Sequence, residues 1–210
     1  MKIGILGAGR VGNNLGRGWG SIGHQIVFGV RDPGKPELQR VLTELGGRAN
    51  ATTIRNAAEA AEVIVLALPW SAVETTLPDL GDALAGKVVI DATNRLTQAP
   101  ANTSGSAGQD VQRLAPRARV VKAFNTIGAE QYLQPSFDGL AASMFICGDD
   151  PQAKQVVADL SAELGFDVVD CGTLENAPLL ENLTRLWIFL AYNGEAGRDI
   201  AFKLLRRGEA

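Results

Sequence analysis

Six residues near the start of the chain, Gly7-Ala8-Gly9-Arg10-Val11-Gly12, have the spacing G-x-G-x-x-G. With 24 glycines in the chain the hexapeptide alone says little. Its setting says more: the apolar run Lys2–Leu6 precedes it and a helix-length segment, Val11 to Gly23, follows. Strand, glycine turn and helix together make a dinucleotide-binding turn. Gly7 permits the tight turn, Gly9 lets a pyrophosphate approach the backbone, and Gly12 lets the helix pack close to the strand. The helix N-terminus then offers N–H groups and a positive dipole end to the phosphates.

Which dinucleotide is read at the end of the second strand, Phe28-Gly29-Val30-Arg31-Asp32. An acid about 20 residues past the glycines would bind ribose hydroxyls and select NAD. That slot falls on Gly29 or Val30 and holds no acid. Arg31 follows, and its guanidinium suits a 2′-phosphate and an adenine face. Lys35 adds a second charge. These residues point to NADP. Asp32 opposes them, because a carboxylate turned to the ribose would repel the phosphate.

The nicotinamide belongs near the carboxyl ends of the fourth to sixth strands, where open α/β sheets take their ligands. Those ends read Ala67-Leu68-Pro69-Trp70, Asp91-Ala92-Thr93-Asn94 and Ala123-Phe124-Asn125-Thr126. Trp70 is either a stacking wall or a buried residue at a helix start. Asn94 and Asn125 can hold ribose or carboxamide groups, or simply form turns. Carbonyl reduction asks for a proton donor beside the hydride acceptor, and the candidates are poor. The one histidine, His24, precedes the second strand, at the other end of the sheet. No Tyr-x-x-x-Lys pair occurs, and Lys122 lies inside a strand. A flavin-like ring stabilises the new charge itself and asks the protein mainly for binding and alignment. The sequence therefore assigns no catalytic side chain and favours a flavin or deazaflavin partner.

The elements that must position these residues alternate. Strand-like runs are Lys2–Leu6, Gln25–Val30, Val63–Leu68, Lys87–Asp91, Arg119–Phe124, Ser143–Cys147 and Asp167–Asp170, with Arg48–Ala51 weaker. They are continuously apolar, as in a parallel sheet covered on both faces. Pro36 suits a first helical turn before Leu38–Leu45. Thr53 can cap Ile54–Ala61, and Asp150 can cap Pro151–Leu164. The pattern predicts an α/β, Rossmann-type doubly wound, mainly parallel sheet over residues 1–172. A short C-terminal helical extension, residues 173–210, packs on it as one compact unit. Within it, helices are expected over Asn176–Leu190 and Ala196–Arg206. The first carries Leu179, Leu180, Leu183, Leu186, Trp187 and Leu190 at helical spacing, which suits packing on the domain or on a second subunit. Trp187 or Phe189 could also line a pocket. Thr97–Gly108, rich in small and polar residues, is the longest stretch without a pattern and reads as a loose loop or a lid.

The chain has 210 residues, 46% hydrophobic and 20% charged, with formal net charge -3. This excludes a disordered chain and gives no sign of nucleic-acid or membrane-surface binding. No apolar run is long enough to cross a bilayer. Cys147 and Cys171 have no metal-like spacing and read as small buried residues. No metal site and no leader segment are expected, and a cytoplasmic location is.

Taken together, these segments resemble the NADPH-dependent oxidoreductases that reduce the deazaflavin coenzyme F420. They are also similar to the cytosolic reductase domain of the STEAP metalloreductases. The resemblance runs through Lys2-Ile3-Gly4-Ile5-Leu6-Gly7-Ala8-Gly9, Val27-Phe28-Gly29-Val30-Arg31 and Leu68-Pro69-Trp70. It continues in Val120-Val121-Lys122-Ala123-Phe124-Asn125, Ile146-Cys147-Gly148-Asp149-Asp150-Pro151, Asp170-Cys171-Gly172-Thr173-Leu174 and Asn193-Gly194. It implies hydride exchange between NADPH and coenzyme F420, or FMN or FAD, in a homodimer. It further implies that Gly7 to Val11 form the pyrophosphate loop and that Arg31 and Lys35 lie near the 2′-phosphate. Leu68 and Pro69 would flank the nicotinamide, with Ala123 and Asn125 beneath it. The chain departs from the family pattern at Val30, where a serine is common, and at Asp32, where arginine or asparagine is. Two other readings remain open: an NADPH-dependent imine or carbonyl reductase, and a non-catalytic NADP(H) sensor.

Overall fold

The computed structural model describes residues 1–95 and 105–207. In chain order the elements are β1 (Lys2–Leu6), α1 (Arg10–Ser21), β2 (Gln25–Gly29), α2 (Pro36–Leu45), β3 (Ala49–Thr52), α3 (Ile54–Ala60), β4 (Val63–Leu66) and α4 (Trp70–Leu80). Then come β5 (Val88–Asp91), α5 (Ala107–Leu114), β6 (Arg119–Lys122), β7 (Ser136–Phe137), β8 (Leu140–Ala141), β9 (Ser143–Gly148), α6 (Pro151–Glu163), β10 (Asp167–Asp170) and α7 (Ala177–Tyr192). Most of the loose stretch expected over Thr97–Gly108 lies outside the described residues. Its end is regular: Ser106 and Gln109 form a reciprocal capping box that starts α5.

The large sheet has the order β10-β9-β6-β5-β4-β1-β2-β3. Strands β1 to β6 are mutually parallel in the doubly wound arrangement, and the point where the order reverses lies between β1 and β4. Their buried runs, such as Val63–Leu66 and Val88–Ile90, are apolar on both faces because helices cover both. Trp19 of α1, Leu38 of α2 and Leu160 of α6 fill one side. Ala57 of α3, Leu77 of α4, Val111 of α5 and Leu180 of α7 fill the other. The predicted caps form: Thr53 Oγ1 accepts from the Asn56 N–H at 3.2 Å and Asp150 Oδ1 from the Ala153 N–H at 2.7 Å.

Two features differ from the sequence reading. Strand β9 runs antiparallel to β6, and β10 follows β9 in parallel. No crossover helix joins β6 to β9; the chain returns through a 3-10 segment, Ala129–Leu133, and the β7–β8 hairpin. The second difference is the helix expected over Ala196–Arg206, which does not form. Residues 193–207 carry no helix. Their backbone is engaged elsewhere: the Ile200 carbonyl accepts from Trp187 Nε1 at 2.9 Å and the Phe202 carbonyl from the Ser143 N–H at 2.9 Å. The Leu204 N–H donates to Ser143 Oγ at 3.0 Å. Bonds to outside partners replace the i to i−4 ladder a helix would need.

Candidate functional site

A cleft of about 680 Å³ opens at the carboxyl edge of the sheet, over the switch point between β1 and β4. Its centre is the glycine turn. Gly7 has φ +106°, a value L side chains rarely adopt, and its N–H donates to the Gly29 carbonyl at 3.0 Å. A Cβ at Gly12 would collide with the Gly7 carbonyl, so Gly12 is needed for packing rather than for the cleft, which it does not line. Gly9 is different: a Cβ there would meet nothing within 4 Å. The space beside its backbone is open, and Gly9 caps α1 without any side-chain cap on the first N–H groups. An anion suits that position. Asn13 braces the turn from within α1, its Nδ2 donating to the Ala8 carbonyl at 3.2 Å.

On one side of the turn the cleft is lined by Val30, Arg31, Asp32 and Lys35. The slot at Gly29 can hold no side chain, since a Cβ would lie 2.9 Å from the Ile54 Cα of α3 and 2.9 Å from Leu6 Cδ2. Asp32 is turned back into its own loop, with Oδ1 accepting from the Gly34 N–H at 2.9 Å. Arg31 and Lys35 have no ion-pair partner among the described residues, and neither has Arg10, which lines the cleft above the turn. Three cations therefore face a space whose centre already favours an anion.

On the other side the lining is Ala67, Leu68, Pro69, Ala92, Thr93 and Asn94. No ionisable side chain occurs among the described lining residues of this half. Asn94 Oδ1 is buried and has no hydrogen-bond partner among the described residues. Trp70 does not line the cleft. It is 9% exposed at the start of α4, with the Arg95 guanidinium over its ring at 5.5 Å. Of its two readings, the buried helix-start residue is the one the structure takes.

Ala123 and Asn125 also lie outside the lining, and both are buried. Asn125 Nδ2 donates to Thr184 Oγ1 of α7 at 2.9 Å, and that hydroxyl has the Asn125 carbonyl at 2.8 Å and the Leu180 carbonyl at 3.0 Å to donate to. Asn125 Oδ1 and Thr126 Oγ1 have no hydrogen-bond partner among the described residues. Between them and β6, Phe124 takes a left-handed backbone, φ 58°, held by edge-on contacts with Trp19, Tyr132 and Phe166 and by Tyr132 Oη donating to its carbonyl. Backbone outliers of this kind gather at functional sites.

Residues that the sequence reading passed over are Asp91, Thr93, Thr184 and Glu181. Lys122 is fully buried, with Nζ 2.8 Å from Asp91 Oδ2 and 2.7 Å from the Thr93 carbonyl. Its ammonium is committed to acceptors, which disqualifies it as a proton donor to a substrate. The apolar setting of strand ends hid this cluster; only the register of β5 on β6, which pairs Asp91 with Lys122, brings it together. His24 lies before β2, bonded to Glu163 at 2.8 Å, away from the cleft. Burial pushes the Cys147 thiol up to about 12 and raises Cys171 as well, so both are poor nucleophiles. No cluster of metal-ligating side chains occurs among the described residues, and none of their helices is long and apolar enough to cross a membrane.

Comparison with known proteins adds independent evidence. Residues 2–95 match the family model described as NADP oxidoreductase, coenzyme F420-dependent. The chain is 30% identical to the F420-dependent NADP reductase of Methanocaldococcus jannaschii, over 90% of this chain and 92% of that one. It is 31% identical to metalloreductase STEAP3 of Rattus norvegicus over 86% of this chain, which spans only 36% of that protein. Among solved structures, a protein of Arthrobacter sp. FB24 provisionally designated an F420-dependent NADP-reductase superposes with a TM-score of 0.88, at 32% identity, covering 98% of this chain and 100% of that one.

Proposed function

Given that this chain belongs to the coenzyme F420-dependent NADP oxidoreductases, we propose that it exchanges hydride between NADPH and oxidised coenzyme F420 across the cleft. The observation that carries this is the division of the cleft: on one side of an open glycine turn stand Arg31 and Lys35, without an ion-pair partner among the described residues, and on the other a half with no ionisable side chain among the described lining residues. The two cofactors, when bound, supply the hydride and a ring that stabilises its charge.

The chain's own residues bind and align. Gly7, Ala8, Gly9, Arg10 and Val11 hold the pyrophosphate on the N-terminus of α1, with Gly12 keeping that helix close to β1. Arg31 and Lys35 take the 2′-phosphate, and Val30 packs beside the ribose. Leu68 and Pro69 flank the nicotinamide and exclude water from its face. Asn94 Oδ1, an acceptor without a partner among the described residues, suits a carboxamide N–H or ribose O–H. Trp70, Ala123 and Asn125 support this edge from behind. No side chain moves a proton.

We also infer a cytoplasmic homodimer. The outward face of α7 leaves Leu179, Leu186, Phe189 and Tyr192 exposed, Phe189 by 59%. A row of large apolar side chains on one helix suits a second copy of the chain.

The test is spectrophotometric. Purified protein is mixed with NADPH and oxidised coenzyme F420, with FMN, FAD and a cyclic imine in parallel. Bleaching of both NADPH and coenzyme F420 is expected. NADPH binding without absorbance change in any mixture would leave a sensor, and turnover of the imine alone would make the protein an imine reductase.

A further inference from the structure

The end of β5 and the end of β6 hold a charge cluster where the covered strands are otherwise apolar. Lys122 and Asp91 are register neighbours on parallel strands, both fully buried. Lys122 Nζ also reaches the Thr93 carbonyl at 2.7 Å and lies 3.7 Å from Glu181 Oε1 of α7. The same Glu181 oxygen accepts from the Gly108 N–H at the start of α5, at 3.2 Å. One ammonium thus joins two strand ends, the turn after β5 and two helices.

Stability does not account for such a cluster, because a buried ion pair does about as well as, or worse than, apolar residues of similar volume. What the cluster fixes is Thr93. Its carbonyl is held by Lys122, while Asp91 Oδ1 accepts from its N–H at 3.0 Å and its hydroxyl at 2.6 Å. Three polar atoms of one residue are held by the cluster. The next residue is Asn94, which lines the cleft and keeps a buried Oδ1 with no hydrogen-bond partner among the described residues.

We propose that Lys122 is a positioning residue for the nicotinamide half of the cleft: by holding the Thr93 carbonyl directly and the Thr93 N–H and hydroxyl through Asp91, it sets the place of the Asn94 acceptor. The inference rests on reading the cleft as the NADPH site. Its ligand chemistry is a donor group, the carboxamide or a ribose hydroxyl of the nicotinamide half, while the adenosine half is read 'upstream' at Arg31 and is independent of Lys122.

That independence supplies the test. Lys122→Met removes the ammonium and keeps the stem. Asp91→Asn keeps an oxygen for Thr93 and sets an amide against Lys122, and it carries the test if the first variant does not fold. Affinity is measured for NADPH and for adenosine 2′,5′-bisphosphate, which lacks the nicotinamide half, alongside kcat with coenzyme F420 and the fluorescence of bound NADPH. Expected are unchanged bisphosphate affinity, a kcat lower by about tenfold to a hundredfold, the scale of a small misplacement of reacting groups, and loss of the fluorescence change that marks an immobilised ring. Equal loss of affinity for both compounds would show a general folding defect and overturn the proposal, as would no change in either kcat or fluorescence. Wild-type protein that binds neither compound would instead overturn the reading of the cleft, and the role of Lys122 with it. If wild-type protein binds both but reduces no acceptor, the hydride reading fails while the fluorescence still tests Lys122.

Discussion

At the scale of single residues, the glycine turn separates three uses of one amino acid. Gly7 is needed for its backbone angle, Gly12 for packing, and Gly9 for the space beside it. Gly9→Val should therefore abolish dinucleotide binding with little change in the thermal midpoint; a midpoint that falls with binding would show that Gly9 is structural. Arg31 has no ion-pair partner among the described residues to lose on binding. Arg31→Ala should weaken NADPH by about 1–3 kcal/mol, the value of a charged hydrogen bond, and leave NADH nearly unaffected. Titration of both coenzymes decides it, and equal weakening would remove Arg31 from phosphate recognition. The glycines were legible because a motif fixes their backbone. That Trp70, Ala123 and Asn125 lie outside the cleft lining was not legible, although each follows or ends a strand. Whether such a residue faces the cleft depends on helix phase and pleat, and the chain position alone does not set either.

Among elements, the strands were the most legible part, since burial on both faces leaves a continuous apolar run. The reversal of β9 was not legible, because an apolar strand reads the same in either direction. The C-terminal segment misled for another reason. Its apolar residues recur at a helix-like spacing, yet its carbonyls serve Trp187 and Ser143. That segment is fastened to the Ala129–Leu133 turn by Arg198, which makes two bonds to Glu130, at 2.5 and 2.8 Å, and stacks on Tyr192 at 4.9 Å. The hydrogen bond from Arg198 holds the Glu130 carboxyl below its ordinary value. A depressed carboxyl contributes stability above the unfolded value and loses it as pH falls through the folded one. Wild-type protein should thus be more stable than Glu130→Gln near neutrality, with the two thermal midpoints converging below about pH 4, under the usual glutamate range. A constant gap across the titration would show that Arg198 holds Glu130 by geometry alone.

For the whole molecule, the dimer is the first matter to measure. Light scattering on the eluting protein should give twice the chain mass, and Phe189→Asp should shift it to one copy while the fold persists. A monomeric wild type would leave the outward face of α7 without an explanation. The net charge of -3 sets a second condition. A negative molecule gives an anionic coenzyme no long-range pull, so capture depends on Arg10, Arg31 and Lys35 acting at short range. Coenzyme choice is then concentrated in one turn, and the hydrogen bond from the Gly34 N–H to Asp32 gains a meaning beyond local structure. It keeps in reserve an acid of the kind that reads an unphosphorylated ribose. A lineage that lost Arg31 and freed Asp32 would acquire the opposite coenzyme preference without rebuilding the cleft, so this turn is where selection for NADH would act first.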